Sequence, residues 1–201
     1  MNQKYIVGIC GASGAVYATA LLNQMLKQAL DIHAVVTADG RAVMSQELGY
    51  TGDLAALIQK QHPGADAHPQ ARLITHEVTD FFASPASGSF KHSGMVIVPC
   101  TVKTVAAVSA GLADNLLTRA ADICLKERRP LVIVPRETPL SAIHLKNMLR
   151  LTRAGATIMP AAPAFYFRPQ SIADLVDFMV ARIMDHLGLD HQLMGEWGSE
   201  T

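Results

Sequence analysis

Gly8-Ile9-Cys10-Gly11-Ala12-Ser13-Gly14 spaces its glycines G-x-x-G-x-x-G where a short apolar run ends in a glycine turn at Gly11–Gly14. It is neither the dinucleotide fingerprint nor a P-loop, since the spacing differs and no lysine follows. A glycine turn that opens a helix still offers backbone N–H groups and a positive dipole end to a phosphate. Ser13 adds a hydroxyl there. The alternative is a tight strand-to-helix turn with no ligand. A dinucleotide site would carry an acidic ribose ligand after the second strand, but Thr37 stands there. That argues against NAD and leaves a mononucleotide open.

The segment Pro135-Arg136-Glu137-Thr138-Pro139-Leu140 follows another apolar run, and its two prolines fix a short loop. Polar groups beside a buried strand are costly unless paired or used. Glu137 suits a general acid or base and Arg136 an anion clamp; a structural ion pair between them is the alternative. Arg119 precedes Lys126 by two helical turns, so a shared face could bind an anion. The run Lys126-Glu127-Arg128-Arg129 also reads as a solvated cap that complements a helix dipole. Ser87-Gly88-Ser89-Phe90, after Asp80-Phe81-Phe82, could cradle a phosphate or flank a flat ring, or be a plain surface loop. Phe165-Tyr166-Phe167-Arg168 joins an aromatic cluster to a cation. Ser171 and Asp174 then form a capping-box pattern. In the helix that follows, Arg182 sits on the edge of the apolar stripe, where it could snorkel to water or reach into a cleft.

The eight histidines are scattered, without HxH or HExxH spacing, and no metal site is expected. Three well-separated cysteines exclude a disulfide scaffold and a CxxC motif and fit a reducing cytosol. Lys plus Arg and Asp plus Glu both number 17, so the zero net charge disfavours a general nucleic-acid or membrane-surface binder. No window suits a signal peptide or a membrane span. Apolar residues reach 50% and charged residues 17%, against a usual charged share of roughly 25%. That is more buried surface than one small monomer needs, and it points to a subunit interface.

The elements that must position these residues alternate strand and helix. Short apolar runs at 5–10, 32–37, 71–75, 95–98, 131–134 and 157–159 read as strands, the last three stopped by Pro99, Pro135 and Pro160. Helices are expected at 15–29, 102–110, 115–127, 141–154 and 171–187, with a weak helical pattern over 41–61. All-apolar strands alternating with helices indicate an α/β fold: three layers, a mostly parallel sheet with helices on both faces. Ligands then bind outside the carboxyl ends of the strands. Four loops should converge there: the GASG turn, Pro99-Cys100-Thr101, Pro135-Arg136-Glu137, and residues 161–169.

Together these segments resemble the UbiX-type flavin prenyltransferases, formerly called 3-polyprenyl-4-hydroxybenzoate decarboxylases. The resemblance covers nearly the whole chain. It rests on GASGA at 11–15, SGSF at 87–90, VPCTVKT at 98–104, DNLLTRAADICLKERRPLVIVPRETPL at 114–140 and PAFYFRPQS at 163–171. It implies a Rossmann-like or flavodoxin-like fold, one FMN-binding domain over 1–190 with a tail at 191–201, and a cytoplasmic homododecamer binding FMN at subunit interfaces. The implied reaction joins dimethylallyl phosphate to N5 and C6 of reduced FMN. The prenylated FMN then serves a UbiD-type decarboxylase in ubiquinone biosynthesis or aromatic acid decarboxylation.

By that resemblance Gly11, Ala12 and Ser13 line the flavin, with Ser13 near N5 and the prenyl phosphate. Thr37 keeps a hydroxyl where Ser is usual. Thr101, Val102, Lys103 and Thr104 match the FMN-contacting loop, Arg136 an FMN-binding arginine, and Ser87 the flavin edge. Glu137 matches the acid/base that handles the leaving phosphate. Lys126, Tyr166 and Arg182 match the prenyl-phosphate site, and Arg119 contributes to it. Phe81 stands where some members carry Trp, and the stretch around 60–71 is longer than in many members. The chemistry agrees. Cations and a phenol can supply the positive field that expels phosphate, aromatic faces can stabilise an allylic cation, and Glu137 can move the proton. The competing readings are an FMN-dependent decarboxylase of the hydroxybenzoate or cysteine type, and a non-enzymatic FMN carrier.

Overall fold

The computed structural model describes residues 2–194; residues 195–201 of the expected tail lie outside the described residues. Six strands form one parallel sheet: β1 (Gln3–Ile9), β2 (Leu30–Val36), β3 (Arg72–His76), β4 (Gly94–Cys100), β5 (Leu131–Pro135) and β6 (Thr157–Ile158). Their order is β3-β2-β1-β4-β5-β6. Every pairing is parallel, with Gly8 opposite Val35 on one side and Ile97 on the other. The chain winds outward in both directions from β1 and β4. The crevice between their carboxyl ends is therefore the switch point where such sheets bind ligands.

Among the described residues seven α-helices flank the sheet: α1 (Ala15–Leu26), α2 (Ala38–Leu48), α3 (Leu54–Gln61), α4 (Val102–Ser109), α5 (Leu116–Lys126), α6 (Ala142–Ala154) and α7 (Ile172–Leu187). One face packs on α1, α3 and α7, through Leu21, Leu22, Met25, Leu57, Val180 and Ile183. The other packs on α4, α5 and α6, through Val105, Leu117, Cys124 and Leu151. With both faces covered, β2, β4 and β5 are buried along their whole length; β4 and β5 read as unbroken apolar runs, while β2 also buries Asp31 and His33.

The expected three-layer α/β architecture is present, and several local boundaries differ, among them β5, which includes Pro135 and does not stop before it. The weak pattern over 41–61 is two helices, broken where Gly49 and Gly52 take φ of 71° and 112° and Asp53 accepts from Ala56 N to start α3. β4 does not stop at Pro99 but runs on to Cys100, with an irregular register between Ile97 and Cys100 that accommodates the missing N–H. α1 ends at Leu26, three residues early. The Ser171–Asp174 capping box is formed: Ser171 Oγ accepts from Asp174 N, and Asp174 Oδ2 accepts from Ser171 N. Among the described residues no helix is long and apolar enough to cross a membrane. Large apolar side chains remain outside, including Phe82, Leu112, Ile143, Leu145, Leu149 and Ile172.

Candidate functional site

Four loops meet along the carboxyl rim, and a row of backbone hydrogen bonds ties them together. Thr37 N donates to Ile9 O (3.0 Å), Cys10 N to Pro99 O (3.1 Å), Arg136 N to Cys100 O (3.2 Å) and Ala161 N to Pro135 O (2.9 Å). The four converging loops expected from the sequence are therefore adjacent. Gly11 is required by packing: a Cβ there would lie 2.4 Å from Asp39 Cβ. Gly14 has φ of 111° and forms the N-cap of α1. Thr101 caps α4, accepting from Thr104 N at 3.1 Å and donating to Thr104 Oγ1 at 3.0 Å. Thr37 caps α2, accepting from Gly40 N at 3.0 Å, so its oxygen serves the fold. Val102 and Lys103 form the first turn of α4, with Lys103 Nζ 3.9 Å from Asp39 Oδ2. Hydroxyls, helix amides and a nearby guanidinium form a donor set that suits an anionic mononucleotide.

Arg136 and Glu137 do not pair. Arg136 Nε donates to the carbonyl of Ser13 at 3.3 Å, while Glu137 Oε1 accepts from Thr138 N at 3.1 Å. Glu137 is exposed, so the sequence-based picture of a costly buried cluster in this loop is replaced by an open carboxylate at the crevice mouth. The geometry removes the ion-pair alternative and leaves Glu137 available to a ligand.

Glu47 is a site residue that the sequence reading missed. From α2 its Oε2 accepts from Gly14 N (3.1 Å) and Ala15 N (2.9 Å), so a carboxylate occupies the α1 N-terminus that was expected to face a phosphate. Burial pushes its carboxyl up, but hydrogen bonds from the Ser13 hydroxyl and from the Ala15 and Gly14 amides outweigh burial and hold it below the ordinary carboxylate value. The sole sequence signal was a carboxylate in a polar helix, 33 residues from its partner in the chain.

The remaining predicted residues lie elsewhere in the same copy. Arg119 and Lys126 share the outer side of α5, as expected, and both meet the 84–90 loop. Arg119 Nε donates to Ala86 O at 3.3 Å, and a Cβ on Gly88 would lie 3.3 Å from Lys126 Nζ. Each also has an acidic neighbour, Asp122 at 3.1 Å and Glu127 at 3.1 Å. Ser87 and Ser89 hydroxyls bond to each other at 2.8 Å, and Arg129 holds the loop through Gly88 O (2.6 Å) and Phe90 O (2.7 Å). Yet Lys126 closes α5 just before β5 begins, so it lies toward the amino edge of the sheet, away from the rim.

Arg182 is displaced on the other side. α7 descends from the rim loop to Leu187, whose carbonyl accepts from Tyr5 Oη near the start of β1. Arg182 sits in its lower half, paired with Asp185 at 2.6 Å. Tyr166 lies in the rim loop, edge-on to Phe178 at 6.0 Å, while Phe167 stacks on Phe178 at 5.6 Å. α5 and α7 cover opposite faces, so one copy does not bring Lys126, Arg119, Arg182 and Tyr166 into one site. Phe81, after β3, is partly exposed.

The family model described as Flavoprotein matches residues 1–184. The flavin prenyltransferase UbiX of Halalkalibacterium halodurans is 44% identical over 197 residues, covering 98% of this chain and 94% of that protein. The crystal structure of AnUbiX (PadA1) in complex with FMN and dimethylallyl pyrophosphate superposes with a TM-score of 0.88 at 37% identity, covering 100% of both chains. A dodecameric FMN-dependent UbiX-like decarboxylase from Escherichia coli O157:H7 gives a TM-score of 0.85 at 42% identity, over 98% of this chain and 100% of that one. Similarity of this extent, over nearly the whole chain, shows that the chain belongs to the Flavoprotein family and, within it, to the UbiX flavin prenyltransferases.

Proposed function

We propose that the chain transfers the dimethylallyl group of dimethylallyl phosphate to N5 and C6 of reduced FMN. Phosphate is released, and the prenylated FMN passes to a UbiD-type decarboxylase. The observation that carries this reading is the crevice between β1 and β4. There the Thr101–Thr104 hydroxyls, the α4 N-terminus, Arg136 and the Ser13–Glu47 pair lie together on the carboxyl rim, with the exposed carboxylate of Glu137 next to Arg136 in the chain. Reduced FMN, when bound, supplies the two nucleophilic centres. Gly11, Ala12, Ser13, Thr37, Thr101, Val102, Lys103, Thr104 and Arg136 would hold it, and Ser87 of the SGSF loop, which lies beside Lys126, would meet its edge from a neighbouring copy.

Glu137 gives and takes the proton that phosphate departure and rearomatisation require. Ser13, anchored by Glu47, orients the reacting edge. Arg119, Lys126, Tyr166 and Arg182 bind the prenyl phosphate and stabilise the charge that develops on it. These four lie on different sides of a single copy, so the reading requires an assembly in which neighbouring copies complete each site. Exposed Leu112, Ile143, Leu145 and Leu149 provide apolar surface for such contacts, and a dodecamer agrees with the assembly of the Escherichia coli relative. Residues 1–190 then act as one domain. Three free, buried cysteines suit a reducing cytoplasm.

The test is anaerobic incubation with reduced FMN and dimethylallyl phosphate, followed by flavin mass analysis. The expected product is heavier by one prenyl unit. Bound flavin recovered unchanged under turnover conditions would overturn the reading.

A further inference from the structure

Alternate carbonyls of the 84–90 loop meet arginines of α5 and of the residues just after it. Arg119 Nε donates to Ala86 O at 3.3 Å, Arg129 Nη2 to Gly88 O at 2.6 Å and Arg129 Nη1 to Phe90 O at 2.7 Å. The two Arg129 bonds are short and charge-assisted, and one planar fork serves both carbonyls. Gly88 allows this approach, since a Cβ there would lie 2.8 Å from Glu127 Oε1. Phe90 N donates to Ser87 O at 3.1 Å and closes the four residues into a turn. The Phe90 ring fixes the far end, edge-on to His33 at 4.8 Å, with Lys4 Nζ 5.1 Å from its centroid.

The end of α5 aims Arg129 at this turn. Arg129 N donates to Cys124 O at 2.8 Å and Arg128 N to Leu125 O at 3.3 Å, the two bonds of a Schellman motif. Arg128 holds the position that glycine usually takes there, with φ of 55°. The chain turns back at Arg128, which stays exposed, and Arg129 reaches the loop. The cations of this region differ in their partners. Lys126 pairs with Glu127 and Arg119 with Asp122, each at 3.1 Å, whereas Arg129 forms no salt bridge among the described residues. Arg129 is therefore not the solvated cap that the Lys126–Arg129 run suggests in the sequence.

With Ala86, Gly88 and Phe90 held toward α5, Ser87 and Ser89 are left exposed. Their hydroxyls lie 2.8 Å apart, and Ser89 N donates to Ser87 Oγ at 3.3 Å. One hydroxyl proton is used within the pair. The other has no acceptor among the described residues, so the pair presents one O–H donor to an outside acceptor.

We infer that Arg129 is a positioning residue: its grip on Gly88 O and Phe90 O holds the Ser87–Ser89 pair as a hydrogen-bond donor to a carbonyl oxygen at the edge of a flavin held by a neighbouring copy. The identity of that acceptor rests on the proposed function; the clamp itself does not. Arg129 touches no reacting atom. A loosened turn spreads the donor over many orientations, which weakens flavin binding and leaves the chemistry at N5 and C6 as it was.

The experiment compares four full-length proteins: wild type, Arg129→Lys, Ser87→Ala with Ser89→Ala, and all three substitutions combined. Lysine keeps the charge without the fork, so it holds one carbonyl at most. Hydrogen exchange read by mass spectrometry, without flavin, should speed up by about tenfold over 84–93 in Arg129→Lys, the scale of one lost charge-assisted bond. β4 and α5 should stay protected as in wild type. Unchanged exchange over 84–93 overturns the clamp whether or not flavin binds. FMN affinity should fall by about two- to tenfold in Arg129→Lys and in the double serine variant, the scale of one hydrogen bond. The combined variant should bind no more weakly than the double serine variant, because Arg129 acts through the serines. The transfer rate of Arg129→Lys at saturating FMN should stay within about twofold of wild type. Losses that multiply in the combined variant, or a saturating rate that falls along with affinity, reject the positioning role and leave a structural one. A wild type without flavin affinity counts against the proposed function instead, and the exchange result still decides the clamp.

Discussion

Glu47 Oε2 stands 2.9 Å from the backbone nitrogen of Ala15, so α2 supplies the cap that the first residues of α1 lack. Gly14 at the N-cap position offers no side chain to do this. Glu47→Ala should therefore destabilise the fold by about 1–2 kcal/mol, the size of a lost cap together with a lost charge at a helix N-terminus. Glu47→Gln should cost roughly half as much, because a neutral acceptor replaces a charged one. The carboxyl is held below its ordinary value, so this contribution is present above that value and fades as pH falls through the folded one. Denaturant melts of the three proteins at neutral pH check the order; equal stability of wild type and Glu47→Ala contradicts it.

Glu137→Gln should bind FMN as the wild type does and lose prenyl transfer by about 10²–10⁴, the usual scale of general acid–base catalysis. Its carboxylate contacts its own Thr138 amide and not Arg136, so removing the charge leaves the Arg136–Ser13 tie in place. Flavin affinity and single-turnover rate on one preparation decide the matter. Near wild-type turnover removes Glu137 from proton transfer.

His33 Nδ1 lies 2.8 Å from His76 Nε2, and the two rings stack at 5.1 Å beneath Phe90. His33 is only 6% exposed. Burial, and then the nearby His76, push its pKa down from 6.5 to about 4. The folded state thus prefers neutral His33. Its stabilising effect is complete above pH 6.5, declines as pH drops toward 4, and is fully lost below. The shift corresponds to about 3 kcal/mol. His33→Gln should flatten the stability profile between those pH values, leaving the carboxylate-dependent loss at lower pH. Urea midpoints measured across the range test this; parallel profiles for the two proteins would falsify it.

The rim loops were legible in the sequence because each is local: an apolar strand, a Pro or Gly, then a polar residue. Gly11, Ser13, Thr101 and Arg136 therefore came out together. What escaped depends on which strands become neighbours. Glu47 meets Gly14 only because β2, which leads into α2, pairs beside β1. No spacing rule encodes a contact between residues 14 and 47. The break at Gly49–Gly52 carried a readable signal, two glycines before a capping Asp53, which the weak helical period of the flanking segments obscured. Helical spacing placed Arg119 and Lys126 correctly on one side of α5, but it is blind to the depth at which a helix end sits in the molecule.

That depth leads to the last prediction. Lys126 and Arg182 lie toward the amino edge on opposite faces, while Ser13 and Arg136 lie on the carboxyl rim. If each site takes its cations from neighbouring copies, Lys126→Ala and Arg182→Ala should each abolish transfer alone. The two variants, unfolded together and reassembled in equal amounts, should recover activity. A site drawing the two side chains from different copies has both intact in about a quarter of random arrangements, so activity should return to roughly a quarter of wild type. A site drawing both from the same copy recovers none, because every copy in the mixture lacks one of them. Flavin binding measured alongside guards against a reassembly failure, since neither substitution touches the rim donors. Full flavin occupancy with no recovered transfer would reject the shared site.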